Sequence, residues 1–189
     1  MLFPGGSLPL RVFETRYMDM AKACLSSGSS FGVCAITSGR EVGDSATHEP
    51  VGCEALIKDW DMQQLGILQI RVMGQRRFRI ESSVVQSSGL IEAEVEFLGV
   101  EQDQVLPEEF VPLAALAQRI ILDLEARRPE AIQKMVEPPY EYASASWVGQ
   151  RLCEFLPIPN PIKHQLMQLS DPLGRLNLVK HFLAQQGIL

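Results

Sequence analysis

At 189 residues and 46% hydrophobic, the chain can bury a substantial core, which excludes a disordered polymer and a small scaffold dependent on disulfides or metal. A formal net charge of −6 and a pI near 5.1 disfavour bulk attraction to nucleic acid or anionic membrane, because like charges repel. Cys24, Cys34, Cys53 and Cys153 form no C-x-x-C pair and no zinc-like Cys/His spacing, so they read as free thiols of a reducing cytosol, with no metal and no cofactor expected.

The opening Met1–Gly6 lacks the basic and apolar segments of a signal peptide, and no apolar run approaches the roughly 18 residues that span a bilayer. A cytoplasmic protein is expected. Phe3 to Pro9 reads as a loop marked by glycine and proline. A helix should follow at about 11–26, with Phe13, Tyr17, Ala21 and Cys24 on one face. Phe31–Ile36 and Val51–Asp59 read as strands, and Thr37–Pro50 between them as a loop. Over 65–81, Leu68, Ile70, Val72, Phe78 and Ile80 alternate with polar residues, and Gly74-Gln75 is expected to be the turn of a hairpin. Leu90–Val100 alternates Ile91, Ala93, Val95 and Phe97 with Glu92, Glu94 and Glu96. Short strands with one early helix predict a curled mixed sheet or pseudo-barrel.

Near residue 105 the period becomes helical, dividing the chain into 1–104 and 105–189. Glu108-Glu109 stands at a helix start, where the dipole favours acid. Leu113, Leu116, Ile120 and Leu124 mark that helix, which Pro129 should end or follow. Val148, Leu152, Phe155 and Leu156 mark a second. Asn160-Pro161 and Asp171-Pro172 are start signals for two more, with apolar faces at Ile162, Leu166, Leu169 and at Leu173, Leu176, Val179, Phe182, Leu183. Short connections predict antiparallel neighbours in an α-helical bundle.

The stretch Leu2-Phe3-Pro4-Gly5-Gly6-Ser7-Leu8-Pro9-Leu10-Arg11-Val12-Phe13-Glu14-Thr15-Arg16-Tyr17 resembles the signature of the Lon protease N-terminal domain: L-F-P-G, two variable residues, L-P-L, two more, F-E, one more, R-Y. Phe31-Gly32-Val33, Val51-Gly52-Cys53-Glu54-Ala55, Gly74–Ile80, the helix pair from Leu152–Leu156 to Lys163–Gln168, and Arg175-Leu176 extend the resemblance along the chain. The resemblance implies an α+β fold, a PUA-like β pseudo-barrel with an early helix followed by a C-terminal α-helical bundle. It also implies recognition of unfolded or extended protein segments and assembly with partners, a protease or chaperone among them. The family has a strand ahead of this motif, so either such a strand precedes Met1 or a barrel edge is left open, and an open edge invites peptide pairing. No G-x-x-x-x-G-K-[ST] loop and no room for a serine–lysine protease domain are found, so neither ATPase nor protease activity is expected.

Glu14 and Arg16 read as a structural brace, with Arg77 as a partner for Glu14. Arg71, Arg76, Arg77 and Arg79 make a basic hairpin, read as a solvated face with Glu92, Glu94 and Glu96 across it. An RNA-binding stripe of Arg71, Arg77 and Arg79 is the alternative. His48, His164 and His181 are scattered, and Cys153 with His164 lacks an orienting acid, so no catalytic residue is assigned. Trp60, Tyr140, Tyr142 and Trp147 are the candidate protein-binding residues, because aromatic groups bury much area with few rotamers. The leading expectation is non-catalytic protein recognition, by a groove between barrel and bundle or by a strand edge, with an adaptor or sequestering role in protein quality control. A PUA-like RNA module and an unrecognised hydrolase are the alternatives, and the oligomeric state is left open.

Overall fold

The computed structural model describes residues 1–40, 42–43, 46–127 and 134–188; Pro129 lies outside them. Two compact units result, the first taking in Met1–Leu98 and Glu130–Met135, the second Gly99–Pro129 and Val136–Leu189. The second unit begins a few residues before the expected 104/105 boundary because Glu101 and Gln104 already bond to it: the Glu101 carboxylate meets Arg175, and the Gln104 carbonyl accepts from Ala145 N at 2.9 Å.

The first unit is an antiparallel sheet with one helix. Its elements are β1 (Ser7–Val12), α1 (Thr15–Ser27), β2 (Phe31–Ser38), β3 (Thr47–Gln64), β4 (Ile67–Val85) and β5 (Ile91–Phe97), in the order β1-β4-β3-β2 with β5 also on β4. Gln69–Met73 pairs with both β1 and β3, and Phe78-Arg79 with both β5 and β3, so β1 and β5 lie in succession along one side of β4. Leu2, Val12, Ala21, Cys53, Ala55, Leu68, Ile70 and Val72 form the core.

Three local expectations change. Ser7–Val12 is a strand and not the end of a loop, because Leu8, Pro9 and Leu10 stand opposite Val72, Arg71 and Ile70. That pairing holds Arg11 and Val12 extended and delays α1 to Thr15, leaving Phe13 exposed ahead of it. Gly74 is no turn: β4 runs straight through it, and the hairpin closes at Leu65-Gly66. A Cβ on Gly74 would lie 2.1 Å from the Phe3 carbonyl oxygen, so glycine here admits the Phe3–Gly6 loop, which bonds it through Gly5 N to Gly74 O and Gly74 N to Gly6 O, both 2.8 Å. Leu2 and Phe3, each 1% exposed, anchor that loop by burial.

In the second unit α3 (Ala145–Phe155) packs against α2 (Val111–Arg127), α4 (Asn160–Gln168) and α5 (Pro172–Gln185). The Ser144 side chain caps α3 by accepting from Trp147 N at 2.9 Å, and Asp171 caps α5 from Leu173 N at 3.1 Å. Asn160 is already helical, behind Pro159. The buried stripe of α2 is Leu113, Ala114, Leu116, Ala117 and Ile121, a small rotation from the expected one. On α4, Lys163, His164, Leu166 and Met167 are buried while Ile162 is exposed. Arg175, fully buried on α5, donates to both oxygens of Glu101 and to the carbonyls of Leu166 and Leu169, which end α4.

Candidate functional site

Within the first unit a cleft of about 670 Å³ is lined by Gly5, Gly28, Ser29, Ser30, Glu54, Leu56, Met73, Gly74, Gln75 and Arg76. Its walls follow from the fold. Gly28, at φ 68, turns the chain sharply out of α1 and brings Ser29 and Ser30 to the rim. Glu54 and Leu56 alternate along β3, and Met73–Arg76 of β4 run beside them. Gly5 comes from the loop that bonds Gly74.

The polar centre is Glu54. It accepts from Ser30 Oγ at 2.7 Å and from Arg76 Nε at 2.9 Å and Nη2 at 3.4 Å. The Arg76 hydrogen bond holds its carboxyl below the usual carboxylate range, against the opposing effect of burial. Arg76 lies over the Phe97 ring at 3.5 Å, so its guanidinium is gripped by an ion pair and an aromatic face. Fixed charge, hydroxyls, one amide and the apolar Leu56 and Met73 stand together. Such a lining suits a ligand with polar backbone and apolar side chains. The lining residues include no cysteine and no histidine.

The expected residues distribute over both units. Glu14 meets Arg16 at 3.0 Å, and Arg16 Nη1 donates to Gly89 O at 2.9 Å, which links the entry of α1 to the β4–β5 turn. Arg77 lies buried on β4 opposite Cys53. Of the three arginines of the RNA alternative, Arg71 is 6% exposed and lies 3.8 Å from Asp59, Arg77 is 3% exposed, and Arg79 faces solvent, opposite Glu96. The alternating pattern of β4 suggested a wet face, yet at Arg71 and Arg77 both faces of this central strand are covered.

Trp60 is 56% exposed on β3, opposite Ile70. Tyr140, Tyr142 and Trp147 meet in the second unit with ring centroids 5.1–6.4 Å apart, and the Tyr140 hydroxyl donates to Glu125. That bond to a carboxylate pushes the Tyr140 pKa up to about 12. Cys153 is buried, and its thiol is pushed up to about 12 by desolvation. The Lys163 ammonium donates to Glu154 O at 2.9 Å, with burial lowering its pKa. His164 Nδ1 lies 3.2 Å from Gln168 Nε2. Sequence reasoning missed Glu54 and Gln75 as cleft residues. Glu54 sits within a motif already noted, but its partnership with Arg76 depends on the β3–β4 register.

The model of the ATP-dependent protease La (Lon) substrate-binding domain matches residues 1–185. The crystal structure of a Lon N-terminal domain protein from Xanthomonas campestris is similar at 34% identity and a TM-score of 0.75, over 96% of this chain and 92% of that one. The N-terminal domain of a Mycobacterium avium complex Lon protease shares the fold at 18% identity and a TM-score of 0.59, over 97% and 92%. Protein cereblon of Danio rerio is 26% identical over 80% of this chain, and that of Gallus gallus 29% identical over 64%. The chain spans only 34% and 26% of the length of those two relatives. A mixed fold built on an antiparallel sheet with five α-helices among the described residues, the buried Leu2-Phe3 anchor and a match running nearly end to end agree: the chain belongs to the family of the Lon substrate-binding domain.

Proposed function

We propose that the chain is a non-catalytic recognition module for unfolded or extended protein segments, held in the cleft around Glu54 and Arg76. The observation that carries this reading is the mixed lining of that cleft, on a chain of the Lon substrate-binding family. Backbone amides of a segment would meet the Glu54 carboxylate and the Ser29 and Ser30 hydroxyls, and its apolar side chains Leu56 and Met73. Trp60 serves as an exposed apolar contact on β3. Tyr140 and Tyr142, half-buried against Trp147, offer a second contact in the other unit. The wider reading is a cytosolic adaptor in protein quality control, working with a protease or chaperone. In fold terms it is a PUA-like pseudo-barrel and a helical bundle. No described helix is long and apolar enough to cross a membrane.

The test is anisotropy of a labelled, reduced and carboxymethylated protein titrated with the full chain. Saturable binding is expected, with Trp60→Ala weakening it about tenfold, the scale of an interface aromatic. Glu54→Gln should weaken it severalfold. Absence of saturable binding, or affinity unchanged from the parent chain in both variants, overturns the reading.

A further inference from the structure

We propose that the outer edge of β5 receives a strand from another protein whose residues alternate between basic and apolar. The inference rests on the reading above that extended segments are recognised, and it names their chemistry at a place apart from the cleft. Among the described residues β5 pairs only with β4, so one side of Ile91–Phe97 carries no neighbouring strand. Beyond Arg79, β4 in turn pairs only with β5. The result is a two-stranded ribbon whose residues Glu81–Val85 and Glu92–Phe97 are all exposed. Isolated two-stranded ribbons are marginal, and a third strand stabilises them.

The two faces of the ribbon differ. One carries Glu92, Glu94 and Glu96, standing opposite Val84, Ser82 and Arg79. Gln86 donates to Glu92 at 2.7 Å and Ser82 to Glu94 at 3.1 Å, which orients both carboxylates within their own face. Arg79 is the one basic residue in direct register with these acids. The other face carries Ile91, Ala93, Val95 and Phe97, and Arg76 rests on Phe97.

A strand added beside β5 places alternate side chains on these two faces, because the side-chain period of a strand is two. Lys or Arg on one face would meet the glutamates, and apolar side chains on the other would meet Val95 and Phe97. A second copy of this chain is disfavoured. Antiparallel pairing of β5 with itself about Glu94 sets Glu94 against Glu94 and Glu92 against Glu96, and like charges directly opposite repel. The same charges that guard this edge against its own copy therefore select a partner of opposite sign.

The experiment uses the full chain and three labelled heptapeptides: alternating Lys and Val, alternating Glu and Val, and the Lys–Val peptide N-methylated at alternate amides. Anisotropy should show saturable binding of the Lys–Val peptide alone, weakened about tenfold between low and high salt. The triple variant Glu92→Gln/Glu94→Gln/Glu96→Gln, with unchanged circular dichroism, should weaken it roughly tenfold. Amide shifts in an NMR titration should concentrate at Ile91–Phe97. No binding of the Lys–Val peptide, equal binding of the N-methylated or Glu–Val peptide, insensitivity to the triple variant, or β5-mediated dimerisation overturns the inference. If unfolded protein still binds while the Lys–Val peptide does not, this inference falls and the proposed function stands.

Discussion

Gly74 shows how a single missing methylene sets a loop. With the Phe3 carbonyl oxygen 2.1 Å from where a Cβ would sit, Gly74→Ala must push out the Phe3–Gly6 loop or break its two 2.8 Å hydrogen bonds. A loss of about 1–3 kcal/mol is expected, as for other overpacked sites, read as a lowered urea midpoint. An unchanged midpoint would show that the loop contributes little to stability. The buried thiol of Cys153 makes a prediction of opposite kind. Its folded pKa of about 12 stands above the ordinary 9.0, so the unfolded chain loses this proton first as pH rises. The associated stability is complete below pH 9 and drains away between there and about 12. Cys34, raised to about 11 by burial, has the same sign. Cys153→Ala should flatten the fall of stability with alkaline pH, and an identical slope would assign that fall to other groups.

At the level of elements, β4 is one strand in two environments. Leu68–Val72 has strands on both sides, and Arg71 is covered along with its apolar neighbours, whereas Glu81–Val85 has one neighbour and lies in solvent. Hydrogen exchange should therefore be slower at Ile70 and Val72 than at Ser83 and Val85 by roughly a hundredfold or more. Uniform protection along β4 would contradict this division. The same contrast explains what could be seen in the sequence. The alternation of β5 and the helical spacing at Leu176, Val179 and Leu183 were legible because each element sees one burial environment. β1 was hidden by its Gly- and Pro-rich approach, since its strand character comes from pairing with β4. The through-running of β4 was hidden because Gly74 reads locally as a turn. Of the cleft, the family motif marked Gly5, Glu54, Gly74, Gln75 and Arg76 without assigning them a shared site. Which of them meet is a matter of register, which has no local signature.

At the level of the whole molecule, each unit carries its own tryptophan, Trp60 in the first and Trp147 in the second. Trp147→Phe and Trp60→Phe backgrounds let fluorescence follow each unit separately. In the second unit the fully buried Arg175 ties Glu101 to α5. Glu101→Ala strands that guanidinium and should cost about 3–5 kcal/mol, seen as a larger midpoint shift at Trp147 than at Trp60. The pair Glu101→Leu/Arg175→Met should recover part of this loss, though Leu166 and Leu169 carbonyls lose their donor. Equal shifts at both tryptophans would mean that the units unfold as one.

The bonds from Ser7 to Lys134 and Met135 carry a consequence for how the protein is made. Ser7 N donates to Met135 O at 3.3 Å and Ser7 Oγ to Lys134 O at 2.8 Å, so the first strand is fastened by chain synthesised long after it. A nascent chain halted at Leu98 holds all five described strands yet lacks this clasp. Ribosome emergence and folding therefore run out of step: the amino-terminal unit can gather early, but it is secured only once translation has passed Met135.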